Sequence, residues 1–171
     1  MTEKMKQEKT LFMTRLMTPD MSNFSEKVHG GTILKLLDEA AFTCASRYCK
    51  TYVVTKSLDQ VVFKKPIAVG DLMTFKCNIN YVGKTSMEVG IRVEGERIKE
   101  KKDYHAISSY FTMVSVDDDG KPMEVPRLEL DSEVEKKLFE AGKMRCAMRK
   151  EIQERNNKLH VSLENWINIW K

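Results

Sequence analysis

The chain has 171 residues and a formal net charge of +4, and hydrophobic and charged residues make up 42% and 32% of it. This composition is typical of a globular domain that can bury a sizeable core, and no apolar stretch reaches the roughly 20 residues that a membrane-spanning helix needs. The mild positive charge favours a polyanionic small ligand, whereas the lack of a dense Lys/Arg stripe interleaved with aromatic residues argues against nucleic acid as a partner.

The first predicted elements are a strand at Leu11 to Met17 and a helix at Ile33 to Tyr48. Because this helix is apolar on nearly every side, we expect other structure to enclose it. Asp38 would then lack solvent, and desolvation raises the pKa of a carboxyl group. An acid in such surroundings either has a private partner or takes part in chemistry.

The start of this helix is a glycine pair, Gly30 and Gly31, with no side chain to cover the N–H groups of the first turn. These N–H groups lie at the positive end of the helix dipole and suit an oxyanion. Gly31 and Asp38 share a face but are about 10 Å apart along the axis, at about 1.5 Å per residue. If both act on one small carbonyl, the acid must therefore come from a second copy of the helix. The alternative is a close-packed helix start and a capped or paired core aspartate.

Downstream of the helix, the sequence alternates between apolar and polar residues, which predicts strands. The strands are expected at Tyr52 to Lys65, which stops at Pro66, at Asp71 to Val82, at Thr85 to Arg97 and at Tyr104 to Val116. The second and third form a hairpin about Gly83 and Lys84, and a turn at Lys99 to Asp103 precedes the fourth. The apolar faces of the hairpin are Met73, Phe75, Cys77, Ile79 and Tyr81 on one strand and Met87, Val89, Ile91 and Val93 on the other. A helix that is apolar all round, with strands that have one apolar face, predicts an α+β fold in which the sheet curls around the helix.

The C-terminal part has a different pattern, in which Lys and Arg alternate with Glu. From Asp131 to Arg155 the pattern predicts an amphipathic helix that lies on the body of the protein. Its apolar stripe is Val134, Leu138, Ala141, Met144, Met148 and Ile152. A second short stripe follows at Leu163, Trp166, Ile167 and Trp170, and we expect it to pack against the body or a neighbouring subunit.

The cysteines and histidines do not have the spacing of a metal site. They are Cys44, Cys49, Cys77 and Cys146, and His29, His105 and His160. We therefore expect no metal, and we interpret the cysteines as small apolar side chains in a reducing compartment. The polar N-terminus lacks the apolar region of a signal peptide, so we expect the protein to be cytoplasmic and not attached to a membrane.

Several motifs together resemble one protein family. They are Thr18 to Phe24, Val28 to Gly31, Leu36 to Ala40, Val61 to Ile67, Val69 to Asp71, Tyr81 to Glu88, Tyr110 to Val114 and Val125 to Pro126. In this combination the chain resembles the hotdog-fold acyl-CoA thioesterases, in particular the bacterial and brain-type acyl-CoA hydrolases. The resemblance implies a curved antiparallel sheet around one long central helix. It implies one such domain at residues 1–130, and we expect residues 131–171 to form a C-terminal helical extension.

The resemblance also implies an activity, the hydrolysis of acyl-CoA to free fatty acid and CoA without a cofactor. Asn23 and the Gly31 backbone of one subunit would face Asp38 of the other, with the Gly31 N–H on the thioester oxygen. Asp38 would either activate water or attack the thioester carbon, and Asn23 would orient the water or the carbonyl. The alternative role for Asn23 is an Asx-turn or helix cap.

Candidate contacts to CoA, which carries several phosphate charges, are His29, Gly30, Lys64, Lys65, Lys84, Thr85 and Ser86. Lysines near such a ligand would meet its phosphates, and the alternative for each is a solvated surface charge. Lys27 departs from the family pattern, in which Asn or an acid is common. By resemblance we expect a homo-oligomer, with a dimer as the minimum unit and a hexamer built as a trimer of dimers.

Two other functions remain open at this point. One is a noncatalytic acyl-CoA-binding or regulatory module on the same fold, against which the presence of both Asn23 and Asp38 argues. The other is a hydratase, which needs an acid and a histidine that work as a pair. His29 is available for that pair, but Asp38 lies in mid-helix.

Overall fold

The computed structural model describes residues 7–158, so the predicted stripe at Leu163 to Trp170 lies outside the described residues. The described part contains six strands, one short 3-10 turn and two long helices. In chain order these are β1 (Thr10–Leu16), the turn Pro19–Met21, α1 (Gly30–Cys49), β2 (Tyr52–Leu58), β3 (Val62–Phe63), β4 (Asp71–Val82), β5 (Ser86–Arg97), β6 (Lys102–Val116) and α2 (Glu133–Lys158). Neither helix within residues 7–158 is both long and apolar enough to cross a membrane.

The strands form one antiparallel sheet in the order β1-β4-β5-β6-β2, and β3 lies beside β6. The predicted hairpin of β4 and β5 is confirmed. The prediction of one strand from Tyr52 to Lys65 is wrong, because the chain leaves the sheet after Leu58 and returns at Val62. Both pieces pair with β6, since Leu58 lies opposite Phe111 and Val62 lies opposite Ser108.

Helix α1 covers one face of the sheet and contacts each of the five long strands. Its buried residues include Ile33, Leu37, Ala41 and Cys44, none of which is more than 1% exposed. Burying a Leu or Ile side chain contributes about 1.5–3 kcal/mol, so this face of the helix adds substantially to the stability of the core. The strand residues that meet it are Met73, Phe75, Cys77, Ile79, Met87, Val89, Ile91 and Val93, as the alternation predicts.

Tyr81 is an exception to that alternation. The pairing of β4 with β5 shifts between Ile79 and Tyr81, which is a β-bulge. A bulge adds one residue to a strand and reverses which face the following side chains occupy. Tyr81 therefore packs against Phe139 of α2, with ring centroids 5.1 Å apart, and the prediction that it shares a face with Phe75 is wrong.

The opposite side of α1 is not covered within the described chain. Leu34 is 37% exposed, and Lys35, Asp38 and Glu39 are also exposed. Within residues 7–158 the sheet covers α1 on one side, as predicted, and the enclosure of its other side stays a prediction. Two apolar residues, Leu34 and the half-buried Phe42, lie on this uncovered side. They make the helix apolar on nearly every side, although the single chain leaves this surface open.

Helix α2 lies on the outer face of the sheet, and Gly142 is its point of closest approach. A Cβ atom at Gly142 would lie 2.6 Å from Cβ of Tyr81, so no other residue fits without a shift. The helix lies on the body of the protein, as the sequence predicts, but most of its apolar stripe does not face the sheet. Four of the six residues of that stripe, Val134, Met144, Met148 and Ile152, are each more than half exposed.

The start of α2 is fastened to β1 by a buried ammonium group. Lys9 Nζ lies 2.7 Å from Asp131 Oδ2 and 3.0 Å from Glu135 Oε1, and it donates to the Glu129 carbonyl. The Asp131 backbone N–H also donates to Glu135 at 2.6 Å. The hydrogen bond from the Asp131 backbone, followed by the one from Lys9, lowers the pKa of Glu135 below its ordinary value because both stabilise the charged carboxylate.

Candidate active site

Asp38 and Thr55 form the closest polar pair on the uncovered side of α1. Thr55 Oγ1 donates to Asp38 Oδ1 at 2.6 Å, which is a short hydrogen bond to a carboxylate. Thr55 is the last residue of β2 before a bulge, since the pairing with β6 shifts between Thr55 and Ser57. The bulge allows Thr55 to face α1 while Ser57, two residues later, pairs with Thr112 on the outward-facing register of β6.

The surroundings of Asp38 differ from the expectation of a desolvated acid. Asp38 and Thr55 are both exposed within this chain. The burial that would have made Asp38 unusual is therefore absent at the level of one subunit. On this open, partly apolar helix face, one carboxylate oxygen of Asp38 is held by the Thr55 hydroxyl, and the other makes no hydrogen bond within residues 7–158.

The start of α1 also differs from the expectation. The Gly31 N–H donates to Nδ1 of His29 at 3.1 Å, so His29 is the N-cap of the helix and that N–H is not uncovered. Thr32 and Ile33 donate to the His29 carbonyl. Within residues 7–158, the Gly30 N–H is the one amide of this first turn without a hydrogen-bond partner. Of the first two amides of the helix, that of Gly30 is therefore open to an acceptor within residues 7–158, and that of Gly31 is bonded to the chain's own imidazole.

Asn23 lies in a tight turn just before α1. Its Oδ1 accepts from the backbone N–H groups of Ser25 at 2.9 Å and Lys27 at 3.2 Å, and its own N–H donates to the Lys27 carbonyl. The Asx-turn alternative is thus the geometry that the chain adopts. The Nδ2 amino group of Asn23 makes no hydrogen bond within the described part of the chain, and Asn23 is exposed. The turn fixes the amide and leaves a donor available.

A cleft of about 370 Å³ opens beside the start of α1. Gly30 and the buried Ile33 form one wall, and Phe63 forms another. Lys64 and Lys65 lie at its rim with Lys27, so the departure at residue 27 adds a cation here. Lys64 Nζ also lies 3.3 Å from Nδ1 of His105.

The other three CoA candidates are not near this cleft. Lys64 donates through its N–H to Ala106 at one end of β6, whereas Ser86 pairs with Val114 near the other end. At about 3.3 Å per residue the two positions are about 26 Å apart. Lys84 and Thr85 directly precede Ser86, and Lys84 lies 3.4 Å from Glu124. A single chain therefore does not bring the two groups of candidates together.

Thr55 is the residue that sequence reasoning missed. It lies in a run that reads as one regular strand, and nothing in the alternation shows the bulge that sets its direction. A hydratase-type pair is not formed in this chain, because the His29 ring caps Gly31 while Asp38 bonds to Thr55. Among residues 7–158, no group of three or more His, Cys, Asp or Glu side chains is arranged to hold a metal ion.

The buried cysteines do not belong to this site. Cys44 and Cys77 lie in the core between α1 and β4. Burial raises the pKa of Cys44 to about 12, with a further contribution from the neighbouring Cys77, and burial alone raises the pKa of Cys77 to about 12. Both thiols therefore stay protonated and are poor nucleophiles.

Comparisons with known sequences agree on one protein family. Residues 26–101 match the family model of the thioesterase superfamily. The chain is 48% identical to the Helicobacter pylori protein VdlD over 139 residues, which cover 81% of this chain and 79% of VdlD. It is 32% identical over 155 residues to the uncharacterized acyl-CoA thioester hydrolase YkhA of Bacillus subtilis, covering 91% and 87% of the two chains. A mouse cytosolic acyl coenzyme A thioester hydrolase is 42% identical over 120 residues, which cover 69% of this chain but only 32% of the mouse protein.

Solved structures give the same result. An acyl-CoA hydrolase from Staphylococcus aureus, solved in complex with butyryl coenzyme A and coenzyme A, has a TM-score of 0.80 and 32% identity, with 89% of this chain and 93% of that chain covered. The same S. aureus enzyme has been solved with an aspartate, a threonine or an asparagine replaced by alanine. An apo-hexameric acyl-CoA thioesterase also has a TM-score of 0.80, at 35% identity over 84% of this chain and 92% of that one. With this identity, coverage and likeness of fold, the chain belongs to the hotdog-fold acyl-CoA thioester hydrolases of the thioesterase superfamily.

Proposed function

We propose that the protein hydrolyses the thioester bond of acyl-CoA at a site shared by two copies of the chain. Asp38 and Thr55 come from one copy, and Asn23 with the start of α1 comes from the other. The observation that carries this proposal is the 2.6 Å hydrogen bond from Thr55 to Asp38 on the open side of α1. A hydroxyl that holds one carboxylate oxygen orients the other for proton abstraction or attack.

The spacing of three residues in the S. aureus enzyme supports the same assignment. In that enzyme the replaced aspartate follows the replaced asparagine by 15 residues, and the replaced threonine follows the aspartate by 17 residues. Asn23, Asp38 and Thr55 have the same two spacings in this chain. The threonine was thus singled out independently in a protein of the same fold.

Asp38 can act in two ways with this geometry. As a general base it takes a proton from water, the hydroxide adds to the thioester carbon, and the C–S bond breaks to release the CoA thiolate, which takes up the proton that Asp38 holds. As a nucleophile its oxygen attacks that carbon, CoA leaves, and water then hydrolyses the acyl-carboxylate anhydride. Both routes place negative charge on the thioester oxygen, which needs a donor.

The start of α1 supplies that donor. The Gly30 N–H is unpaired within residues 7–158, and the Gly31 N–H, which donates to His29 Nδ1, needs that ring to turn away before it can bind substrate. Asn23 contributes its Nδ2 amino group, which its turn leaves free. We propose that the Gly31 N–H binds the thioester oxygen and that Asn23 orients the water or the carbonyl.

Assembly of two copies is supported by the apolar surface around Asp38. In the described chain β2 ends the sheet with an unpaired edge, and Tyr52 and Val54 on this edge are 63% and 41% exposed. Exposed apolar residues on an unpaired strand edge favour pairing with another chain. A second copy would desolvate Asp38 and bring the lysines of the cleft toward Lys84, Thr85 and Ser86 of its partner. The hexameric relative favours further assembly to a trimer of dimers.

The direct test measures release of the CoA thiol from a series of acyl-CoAs in the presence of EDTA. We expect hydrolysis without added metal, and Asp38→Asn should lower kcat by several hundredfold, about the scale of acid-base catalysis. The matched control is Glu39→Gln, because Glu39 is the neighbouring exposed acid on α1 and should be dispensable. Normal turnover by Asp38→Asn would favour a noncatalytic acyl-CoA-binding module, and activity that is lost in EDTA and restored by zinc would refute cofactor-free hydrolysis.

We also propose that the enzyme acts in the cytoplasm. The related mouse enzyme is named for the cytosol, and protonated buried thiols suit a reducing compartment. Fractionation of cells with an antibody to the protein tests this, and recovery in the membrane or extracellular fraction would contradict it.

A further inference from the structure

A cluster of charged residues on the outer face of the sheet connects α2 to the strand that carries Thr55. Its centre is Glu88 in β5, whose side chain is only 1% exposed. Arg145 donates to both carboxylate oxygens of Glu88 at 2.6–3.1 Å, and its guanidinium lies 3.8 Å from the centroid of the Tyr110 ring. Arg145 therefore satisfies both carboxylate oxygens of Glu88 and helps to hold α2 on the sheet.

Arg149 contacts a second acid, Asp59, in addition to Glu88. Its Nη1 lies 3.2 Å from Glu88 Oε2 and 2.7 Å from Oδ2 of Asp59. Asp59 is the first residue after β2, and its backbone N–H donates to the Tyr110 carbonyl at 3.0 Å. Arg149 and Asp59 are 23% and 22% exposed, so the pair is only partly screened by solvent. The pair joins the end of β2 to the buried Glu88.

The end of β2 needs such a contact. The strand is at the edge of the sheet in the described chain, and after the bulge only Ser57 and Leu58 continue its pairing with β6. A bulge interrupts the ladder, so the residues on either side must be held separately. Residues up to Thr55 are held by regular pairing, and the residues between the bulge and β3 are held by the pairs of Ser57 and Leu58 and by Asp59.

We propose that Asp59 and Arg149 are positioning residues for the thioesterase site. By fixing the chain four residues after Thr55, they hold the bulge in the form that directs the Thr55 hydroxyl at Asp38. This inference rests on the proposed function of Thr55. A purely structural role, the docking of α2, belongs to Arg145 and Glu88, and it survives the loss of Asp59.

The test uses the full-length protein and Asp59→Ala, which leaves both arginines on Glu88. We expect kcat to fall about tenfold with KM within about twofold of the wild type, because a small displacement of a catalytic group lowers the rate of the chemical step. Asp59→Asn keeps an acceptor for Arg149 and should retain most of kcat. Glu100→Ala is the control, since Glu100 is an exposed acid that pairs with Arg97 on a remote turn.

Two further measurements decide whether Asp59 acts through Thr55. In a Thr55→Val background, Asp59→Ala should lower kcat by less than about twofold more, because coupled residues are not additive. In protein labelled with ¹³C at the threonine methyl groups, the Thr55 signal should shift in Asp59→Ala and not in Glu100→Ala. A tenfold loss that is repeated in the Thr55→Val background, or an unmoved Thr55 signal, would overturn the proposal.

The methyl signal also separates this proposal from the proposed function. If Thr55→Val keeps the kcat of the wild type, the catalytic role of Thr55 fails. The shift of the Thr55 signal in Asp59→Ala would still support the positioning of β2 by the pair, and its absence would refute that as well.

Discussion

The separation of Gly31 from Asp38 leads to a quantitative mixing experiment. Seven helical residues put the two positions about 10 Å apart along α1, so one thioester carbonyl cannot contact both in the same chain. If each site takes Asn23 from one chain and Asp38 from its partner, Asn23→Ala and Asp38→Ala are each nearly inactive as homodimers. We expect each to keep no more than about a few per cent of kcat, on the scale of a lost oxyanion donor or base.

Mixing the two variants should restore activity. Refolding them together in equal amounts makes about half of the dimers mixed, and a two-fold interface gives each mixed dimer one site with both groups and one with neither. The mixture should therefore recover about a quarter of the wild-type activity. This fraction is counted per dimer, so it does not depend on whether dimers assemble further.

A double variant, Asn23→Ala with Asp38→Ala in one chain, supplies the control. When it is refolded with an equal amount of wild type, every mixed dimer has two incomplete sites. Activity should then fall from about a half of the wild-type value to about a quarter. If both groups instead served a site within one chain, activity would stay at about a half, and the two single variants would not rescue each other. Either result would refute the shared site.

Three further predictions concern the site, the core and the pH dependence. Thr55→Val removes a hydrogen bond to the Asp38 carboxylate that is worth about 1.5–3 kcal/mol, so kcat should fall about 10- to 150-fold in thiol-release assays while the circular dichroism spectrum is unchanged; wild-type turnover would contradict this. Cys44 and Cys77, whose pKa values are raised to about 12, should react with a thiol reagent at pH 8 only after unfolding, and fast modification of the native protein would show that the core opens. The lowered pKa of Glu135 means that the unfolded state binds its proton first as pH falls, so the stability it contributes is present above about pH 4.5 and is lost as pH falls through the folded-state value. Denaturant melts should show Glu135→Gln less stable than wild type at pH 7, with a difference that shrinks as the pH is lowered below about 4.5, and a difference that does not shrink would refute this cause.

The sequence predicted the parts of the fold that depend on periodicity. The α+β class, α1 and the hairpin of β4 and β5 follow from spacings of 3.6 and 2 residues, and the structure agrees with them. A β-bulge, which inserts a single residue into a strand, changes the face of the residues that follow it and cannot be recognised from the composition of the strand. For that reason the sequence placed Tyr81 on the wrong face and concealed the direction of Thr55.

Helix α2 shows a second limit. Its apolar stripe predicted packing through Met144 and Met148, but the helix packs through Phe139, Gly142, Arg145 and Arg149. A buried acid on another strand selects that face, and such a partner is not visible in the helix itself. The exposure of Asp38 was missed for a related reason. Apolar residues mark every surface that becomes buried, and this includes a surface that only a second copy of the chain would bury.

The close approach at Gly142 limits how α2 can move. Translation along its axis by one turn, about 5.4 Å, would bring Leu138 or Cys146 to the place where even a methyl group would meet Tyr81. The same movement would shift Arg145 and Arg149 by one turn, so that only one of the two arginines would stay beside Glu88. The steric contact at Gly142 therefore prevents α2 from sliding along the sheet while it stays packed. Any partner or mutation that displaces α2 must lift it off completely, which leaves Glu88 in water and the end of β2 without its outer support.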